Sequence, residues 1–207
     1  MEKKTQYIEN PCRASSIPYW KTVSMSVPEN IRILHQDDFQ VQFLAEYVDE
    51  PYFRLVHNLK SVQPVDVPDG FAMCSISLSD FAGHINSCYG ENCVTEDELH
   101  RYTERTVYRA ELWIAIKDET TGEIVATGIA EMDSEIGEGI LEWIQVSEEY
   151  RGCGLGYFLV SELIWRLKDT ARVVTVSGQC NNPSNPEKLY RKCGFIGNDI
   201  WHVMRRI

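Results

Sequence analysis

The sequence predicts a mixed α/β fold (an α+β mixed sheet), and three features of the chain indicate it. An apolar run over 140–146 leads into a glycine-rich segment and then into a helix-periodic run over 157–168. Two earlier apolar runs, 111–116 and 124–130, flank a polar stretch that is typical of a β-hairpin. A short helix with a signal at each end follows over 185–194. Strands and helices in this order favour helices packed on a sheet.

Length and composition fit one domain, or one domain with an extension. The chain has 207 residues, of which 43% are hydrophobic, and no apolar run approaches the ~20 residues of a membrane span. The first seven residues carry no apolar signal-peptide core. Seven cysteines without a C-x-x-C pair are typical of reduced thiols. We therefore expect a cytoplasmic protein that does not associate with a membrane.

The formal net charge is −11. This charge argues against a nucleic-acid partner, because binding to nucleic acid relies on Lys and Arg to neutralise phosphates. It is compatible with a cationic acceptor such as an amine, drawn by the overall field of the protein. Solubility alone is the simpler explanation of the same charge.

Residues 1–69 are predicted to form an N-terminal extension of short strands and helices. A strand is expected over 31–34, and two helices are expected over 37–48 and from Pro51 to Leu59, where apolar residues recur at helical spacing. Two prolines and a glycine within 63–70 mark the boundary. The main domain is therefore predicted to cover 70–207.

The main domain should open with a strand over 71–77 and a helix from Leu78 to Cys88. Thr95 and Glu98 form a capping-box pattern that begins a helix running through Thr103. After the hairpin and the glycine-rich segment, strands are expected over 173–176 and 201–204.

The glycine-rich segment places an arginine and three glycines between a strand and a helix: Arg151, Gly152, Gly154 and Gly156. Glycine lets a backbone approach a ligand without a Cβ in the way, and the start of the helix presents unpaired N–H groups and the positive end of its dipole. Phosphate is the natural ligand of such a loop. The alternative is a tight turn that only connects the strand to the helix.

Two motifs resemble those of the GCN5-related N-acetyltransferase (GNAT) superfamily. Residues 151–156, Arg-Gly-Cys-Gly-Leu-Gly, fit the acyl-CoA loop pattern R/Q-x-x-G-x-G/A at every position. Residues 185–195, Asn-Pro-Glu-Lys-Leu-Tyr-Arg-Lys-Cys-Gly-Phe, resemble the last helix of the family, with Leu189-Tyr190 and Gly194-Phe195 at its spacing. The resemblance covers roughly residues 70–207 and implies a GNAT-like acyl-CoA N-acyltransferase fold.

The resemblance also implies the co-substrate and the residues that bind it. Acetyl-CoA is expected as co-substrate, with no metal. The expected contacts are backbone groups of the strand, the pyrophosphate loop and one asparagine, which are Ile144, Gln145, Val146, Arg151, Gly152, Cys153, Gly154, Leu155, Gly156 and Asn182. Asn182 stands one residue from the position at which the family often carries asparagine. An Asn-Pro turn is its alternative role.

The same resemblance implies direct transfer of an acetyl group to a primary amine. Tyr190 matches the tyrosine that commonly protonates the departing thiolate. For the base, we favour Glu142, which in a regular strand shares a face with Ile140 and Ile144, although water can serve instead. Glu131 and Asp133 are second choices.

Two other functional classes remain open at this point. A non-catalytic acyl-CoA sensor would keep the loop but need neither Tyr190 nor a base. An unrelated α/β protein would use the glycines only to position a helix. The acceptor is undecided among an amino acid, a polyamine, an aminoglycoside and a protein amine. The extension over 1–69 could cover the acceptor site, form a homodimer interface or cap the sheet.

Overall fold

The computed structural model describes residues 2–89 and 93–207. The described residues form eight strands and seven α-helices. The strands are β1 (Ile31–His35), β2 (Tyr47–His57), β3 (Phe71–Cys74), β4 (Trp113–Asp118), β5 (Ile124–Asp133), β6 (Glu138–Val146), β7 (Val173–Gln179) and β8 (Ile196–Arg206). The helices are α1 (Glu2–Glu9), α2 (Pro11–Ala14), α3 (Tyr19–Ser24), α4 (Leu78–Tyr89), α5 (Glu96–Thr103), α6 (Leu155–Leu167) and α7 (Pro186–Lys192).

The chain divides into two compact units. A terminal unit joins Met1–Asn58 to Val173–Ile207, and a middle unit spans Leu59–Arg172. The N-terminal segment thus packs with the last strands of the chain. The predicted domain boundary after residue 69 stays a prediction.

The middle unit contains an antiparallel meander in the order β6-β5-β4-β3. Successive side chains of β5 point to opposite faces of the sheet, and a helix packs on each face. Thr127 on β5 contacts His84 of α4, and the position where Gly128 would carry a Cβ faces Leu159 of α6, 2.9 Å from its Cδ1. The predicted hairpin is therefore the centre of this unit.

Three helices are found where the sequence predicts them: α4 and α5 within one residue at each end, and α6 starting two residues before the predicted run. Thr95 accepts a hydrogen bond from the Glu98 backbone N–H, and the Glu98 carboxylate accepts one from the Thr95 backbone N–H in return. The capping box is confirmed. One face of α6 is buried, and its members are Leu155, Phe158, Leu159, Val160, Leu163, Ile164 and Leu167.

The terminal unit has the strand order β1-β8-β2-β7, with every neighbouring pair antiparallel. Strand β2 comes from the N-terminal segment and lies between β7 and β8, which follow each other in the chain. Since β2 is antiparallel to both neighbours, β7 and β8 run in the same direction. The N-terminal segment therefore contributes an internal strand to this sheet.

Two helix predictions in the N-terminal segment are wrong. A 3-10 helix at Val41–Ala45 replaces the predicted helix over 37–48. Residues 51–59, predicted as a helix, belong almost entirely to β2. The residues that pair with β2 are more than 100 residues away in sequence. The spacing of apolar residues within 47–57 therefore cannot predict this strand, because the strand depends on distant partners.

Candidate functional site

Strand β6 carries a bulge two residues before the segment expected to bind the co-substrate. Ile144 pairs with Gly128 and Leu141 with Ala130, so Glu142 and Trp143 together lie opposite the single residue Ile129. A bulge interrupts the alternation of a strand and turns its side chains. The expectation that Glu142 shares a regular face with both Ile140 and Ile144 is therefore wrong, because it assumed an unbroken strand.

The loop after β6 has the backbone that its glycines predict. Gly152 and Gly154 have φ values of +89° and +86°, in the region that L residues rarely adopt. No atom lies within 4 Å of the position where Gly152 would carry a Cβ, and only Pro68 lies that close at Gly154, at 3.6 Å. The loop therefore offers open backbone on which a ligand can rest.

Arg151 bends back toward the strand that precedes it. Its Nε donates to the Val146 carbonyl oxygen at 3.4 Å, and its Nη1 lies 4.0 Å from Glu148 Oε1. Both side chains are solvent-exposed, so this ion pair contributes little to stability. In this conformation Arg151 shapes the turn, and its guanidinium remains at the surface beside the loop.

Helix α6 starts immediately after the loop. Gly154 is its N-cap and has no side chain with which to cap the first turn. The Phe158 N–H makes a helical bond to the Gly154 carbonyl, at 3.0 Å. The N–H groups of the first turn, which include Leu155 and Gly156, have no partner within the helix. With the helix dipole, they make an anion site of the kind that binds phosphate.

A buried polar network fixes the strand and the loop to α4. The His84 ring nitrogens lie 2.8 Å from Thr127 Oγ1 and 3.0 Å from Ser147 Oγ, and the Gln145 side-chain amide donates to Thr127 Oγ1. Burial lowers the pKa of His84, which favours the neutral ring. Gln145 thus uses its side chain inside the unit and pairs with Thr127 of β5, and its role in binding the co-substrate stays a prediction.

Tyr89, the last residue of α4, reaches the same strand. Its hydroxyl donates to the Ile144 carbonyl oxygen at 3.0 Å, and its ring packs edge-on against Trp143 with 5.6 Å between ring centroids. Partial burial raises the pKa of Tyr89 to about 12, so the phenol remains a hydrogen-bond donor at neutral pH. The sequence alone did not single out Tyr89, because nothing in its spacing relates it to β6.

The three carboxylates considered as bases have different surroundings. Glu142 is half-buried at the bulge. Glu131 is buried, and its Oε1 accepts from Arg105 Nη1 at 2.7 Å. Asp133 Oδ1 accepts from the Glu135 N–H at 2.9 Å, and its buried Oδ2 has no hydrogen-bond partner among the described residues. Glu131 is held in an ion pair with Arg105, and the choice of Glu142 as base stays a prediction.

A cavity of about 260 Å³ lies beside the bulge of β6. Two aromatic rings, two guanidinium groups and one carboxylate are among its walls, and the lining residues are Cys93, Val94, Glu98, Arg101, Tyr102, Arg105 and Trp143. The capping-box pattern predicts α5 but not this cavity. Spacing within α5 cannot reveal which part of the sheet the helix covers.

Tyr190 lies in the terminal unit, on α7. It is 6% exposed and packs against two phenylalanine rings, with 6.1 Å between its centroid and that of Phe53 and 5.7 Å to that of Phe195. Asn185 is the N-cap of α7 and Pro186 its first residue, as predicted, although the Asn185 side chain makes no capping bond. The role of Tyr190 as acid stays a prediction.

The Asn182 side chain takes part in a local turn. Its Oδ1 accepts from the Ser184 backbone N–H at 2.9 Å and from the Ser184 hydroxyl at 2.7 Å. This is the Asn-Pro turn considered as its alternative role. Binding of the co-substrate by Asn182 stays a prediction.

Neither a metal cluster nor a membrane helix is found among residues 2–89 and 93–207. In that part of the chain, no three His, Cys, Asp or Glu side chains come together as metal ligands. None of the helices described there is long and apolar enough to cross a membrane. All seven cysteines, Cys153 of the loop among them, are free thiols.

Solved structures show the same fold. A GCN5-related N-acetyltransferase from Sphaerobacter thermophilus is 19% identical, with a TM-score of 0.68 over 84% of this chain and 58% of its own. An acetyltransferase of the GNAT family from Colwellia psychrerythraea is 16% identical, with a TM-score of 0.56 over 84% and 64% of the two chains. Ard1 from Thermoplasma volcanium is 14% identical, with a TM-score of 0.52 over 67% and 98%.

These likenesses confirm the predicted acyltransferase fold, and at such identities they show the fold alone. This chain spans little more than half the length of the Sphaerobacter protein. No curated protein sequence matches it. A family model described as an acetyltransferase (GNAT) domain matches residues 108–196, a segment that contains the glycine loop, α6 and Tyr190. Together with the fold, this match over 89 of the 207 residues supports the resemblance to the GNAT superfamily.

Proposed function

We propose that this protein is an N-acetyltransferase that moves an acetyl group from acetyl-CoA directly to a primary amine. The observation that carries the proposal is the glycine loop, in which two positive-φ glycines open the backbone directly before the uncapped start of α6. The match of residues 108–196 to an acetyltransferase (GNAT) domain supports an acyl-CoA-dependent acetyltransferase in general. The acceptor and the catalytic residues are part of the proposal.

The loop and the strand would hold the co-substrate. Backbone N–H groups at the start of α6 and in the segment 151–156 would bind the pyrophosphate. Backbone groups of Ile144, Gln145 and Val146 would bind the pantetheine arm. Binding both reactants in one site can be worth about 7–11 kcal/mol of the barrier when their alignment is good. Positioning is therefore the main contribution that we assign to this site.

Two proton transfers complete the reaction. An alkyl amine with a pKa of ~10.4 must lose a proton before it can attack, at a cost of about 4–5 kcal/mol at pH 7. Glu142, half-buried at the bulge, or a water would take that proton. Tyr190 would donate a proton to the departing thiolate. No acetyl-enzyme is required.

The test is incubation of the purified protein with isotopically labelled acetyl-CoA and a pool of cellular amines, followed by mass spectrometry. Mass detection avoids interference from the seven thiols of the protein. A labelled N-acetyl product supports the proposal and identifies the acceptor. If acetyl-CoA binds but no amine or protein in a broad pool becomes labelled, the proposal fails in favour of a non-catalytic acyl-CoA sensor.

A further inference from the structure

The cavity beside the bulge lies next to the strand that we propose binds the pantetheine arm. Trp143, one of its walls, directly precedes Ile144 in β6. Helix α5 and the residues after it contribute Glu98, Arg101 and Arg105 to the lining. A molecule in this cavity would therefore lie directly beside the segment of β6 that we propose binds the co-substrate. We call it the acceptor cavity.

Two guanidinium groups and one carboxylate line the acceptor cavity. Arg105 is held in place by an ion pair with buried Glu131 and by stacking on Tyr102, whose ring centroid lies 3.2 Å from the guanidinium carbon. Arg101 is the more exposed of the two arginines, with a side chain 66% exposed against 25% for Arg105. Its nearest acidic partner is Glu98, at 4.0 Å.

The Glu98 carboxylate is used mainly to cap the helix that carries it. Its Oε2 accepts hydrogen bonds from the backbone N–H and the hydroxyl of Thr95, at 2.8 and 3.0 Å. These bonds lower the pKa of Glu98 and keep it ionised at the start of α5. Its contact with Arg101 is long and exposed, so a carboxylate from a ligand can compete for that guanidinium.

The remaining walls are aromatic or apolar, and the cavity is small. Trp143 and Tyr102 supply rings, and Val94 supplies an apolar surface. At roughly 30 Å³ per water, the volume of 260 Å³ corresponds to about nine waters. A molecule of amino-acid size fits this volume, whereas most of an aminoglycoside would remain outside it.

We propose that the acceptor cavity takes a small amine that also carries a carboxylate, an acceptor of the amino-acid class, with Arg101 binding the carboxylate. A planar guanidinium matches a carboxylate in geometry as well as in charge. Trp143 and Tyr102 would contact an apolar or aromatic side chain of the acceptor. The proposal rests on the proposed acetyltransferase function, and it differs from the purely cationic acceptor with which the net charge of −11 is compatible.

The experiment compares matched acceptors with labelled acetyl-CoA: an aromatic amino acid, its carboxamide and its decarboxylated amine. We expect kcat/KM to be at least about tenfold higher for the amino acid. The Arg101→Gln variant should reduce that preference to about twofold and leave the Kd for acetyl-CoA unchanged. Lys117→Gln removes the same charge from β4, outside the cavity lining, and should keep the preference. A preference for the carboxamide or the amine overturns the proposal.

A binding measurement separates this inference from the proposed function. 3-Phenylpropanoate has the carboxylate and the ring but no amine, so it cannot be acetylated. Calorimetry should show that it binds the wild-type protein and that Arg101→Gln weakens its binding about tenfold. Binding of this kind without transfer to any amine would refute the acetyltransferase and leave the carboxylate site standing. Transfer without carboxylate preference, or equal binding by the two proteins, would refute the cavity assignment alone.

Discussion

The hydroxyl of Tyr89 donates a hydrogen bond to the carbonyl oxygen of Ile144 at 3.0 Å. This carbonyl belongs to the three-residue segment that we propose binds the pantetheine arm. A phenol from the end of α4 therefore uses an acceptor that an amide N–H of acetyl-CoA would need. A carbonyl oxygen has two lone pairs, and the Tyr89 hydroxyl already uses one of them.

Tyr89→Phe should strengthen the binding of acetyl-CoA. The variant keeps the ring that packs against Trp143 and removes only the donor that competes for Ile144. One net hydrogen bond contributes about 0.5–1.5 kcal/mol, so the Kd should fall roughly two- to tenfold. Isothermal titration of wild type and variant checks this. Weaker binding by the variant would instead indicate that the Tyr89 hydroxyl helps to bind the pantetheine arm.

The stability of the protein should fall as the pH drops, in part because of His84. Burial lowers the pKa of His84 below its usual value of 6.5, so the unfolded chain takes up the proton more readily than the folded one. This contribution to the free energy of unfolding is complete above about pH 6.5 and is lost below it. His57, whose pKa burial also lowers, adds a loss of the same sign.

His84→Gln should make that pH dependence shallower. The amide retains hydrogen-bonding groups toward Thr127 and Ser147 but does not titrate. Urea unfolding at pH 7.5 and pH 5.5 measures the loss for each protein. His100→Gln, on the exposed face of α5, is the control and should lose as much as wild type. An equal loss in all three proteins would remove His84 from the explanation.

Gly154→Glu should weaken the binding of acetyl-CoA by at least about tenfold, because it puts a side chain and a negative charge into the loop. Gly154 has φ +86°, so any side chain there adds backbone strain of about 1–2 kcal/mol. Gly122→Glu is a matched control: its φ is +75°, its Cβ position is open and it lies in the turn before β5. It should cost similar stability and leave the Kd unchanged. Equal Kd values for both variants would refute the phosphate loop.

Local signals predicted the loop and the elements around it. Helix α6 follows from a glycine N-cap and a continuous apolar face, and α5 follows from the reciprocal bonds of Thr95 and Glu98. In both cases the determining contacts lie within about four residues, so the sequence alone contains them. The same holds for the hairpin of β4 and β5.

Strand β2 and the acceptor cavity depend on distant contacts, which the sequence does not report. Pro51 suggested the start of a helix, because proline is common there and rare in internal strands. It is tolerated in β2 because the ladder to β7 begins only at Tyr52. Arg54, 2% exposed, interrupts the apolar pattern of a buried strand. The bulge that presents Trp143 to the cavity likewise results from pairing with β5.

Tyr190→Phe should lower kcat by roughly 100-fold and change the Kd for acetyl-CoA by less than about twofold, because a general acid acts on the chemical step. Tyr7→Phe is the control from the same unit. Tyr7 is a buried tyrosine whose hydroxyl accepts from Arg54 Nη2 at 2.7 Å, so its loss should reduce stability by about 1 kcal/mol and leave kcat unchanged. Single-turnover kinetics with the identified acceptor compares them. A Tyr190→Phe protein with full kcat would exclude this tyrosine as the acid.

Gly178→Ala should destabilise the terminal unit, because strand β7 passes directly over the ring of Phe53. A Cβ at residue 178 would lie 2.5 Å from Phe53 Cζ, and this ring is buried and packs against Tyr190. The ring must move, at a cost of about 1–3 kcal/mol, and Tyr190 loses its support.

Gly83→Ala is a control that should change the stability of the protein in the opposite direction. Residue 83 lies on an exposed position of α4 with no atom within 4 Å of its Cβ position, so alanine should stabilise the helix by about 0.5–1 kcal/mol. Thermal unfolding should therefore give a lower Tm for Gly178→Ala and an equal or higher Tm for Gly83→Ala. If the Gly178→Ala protein keeps both its Tm and its kcat, the contact between Phe53 and β7 does not hold Tyr190 in place.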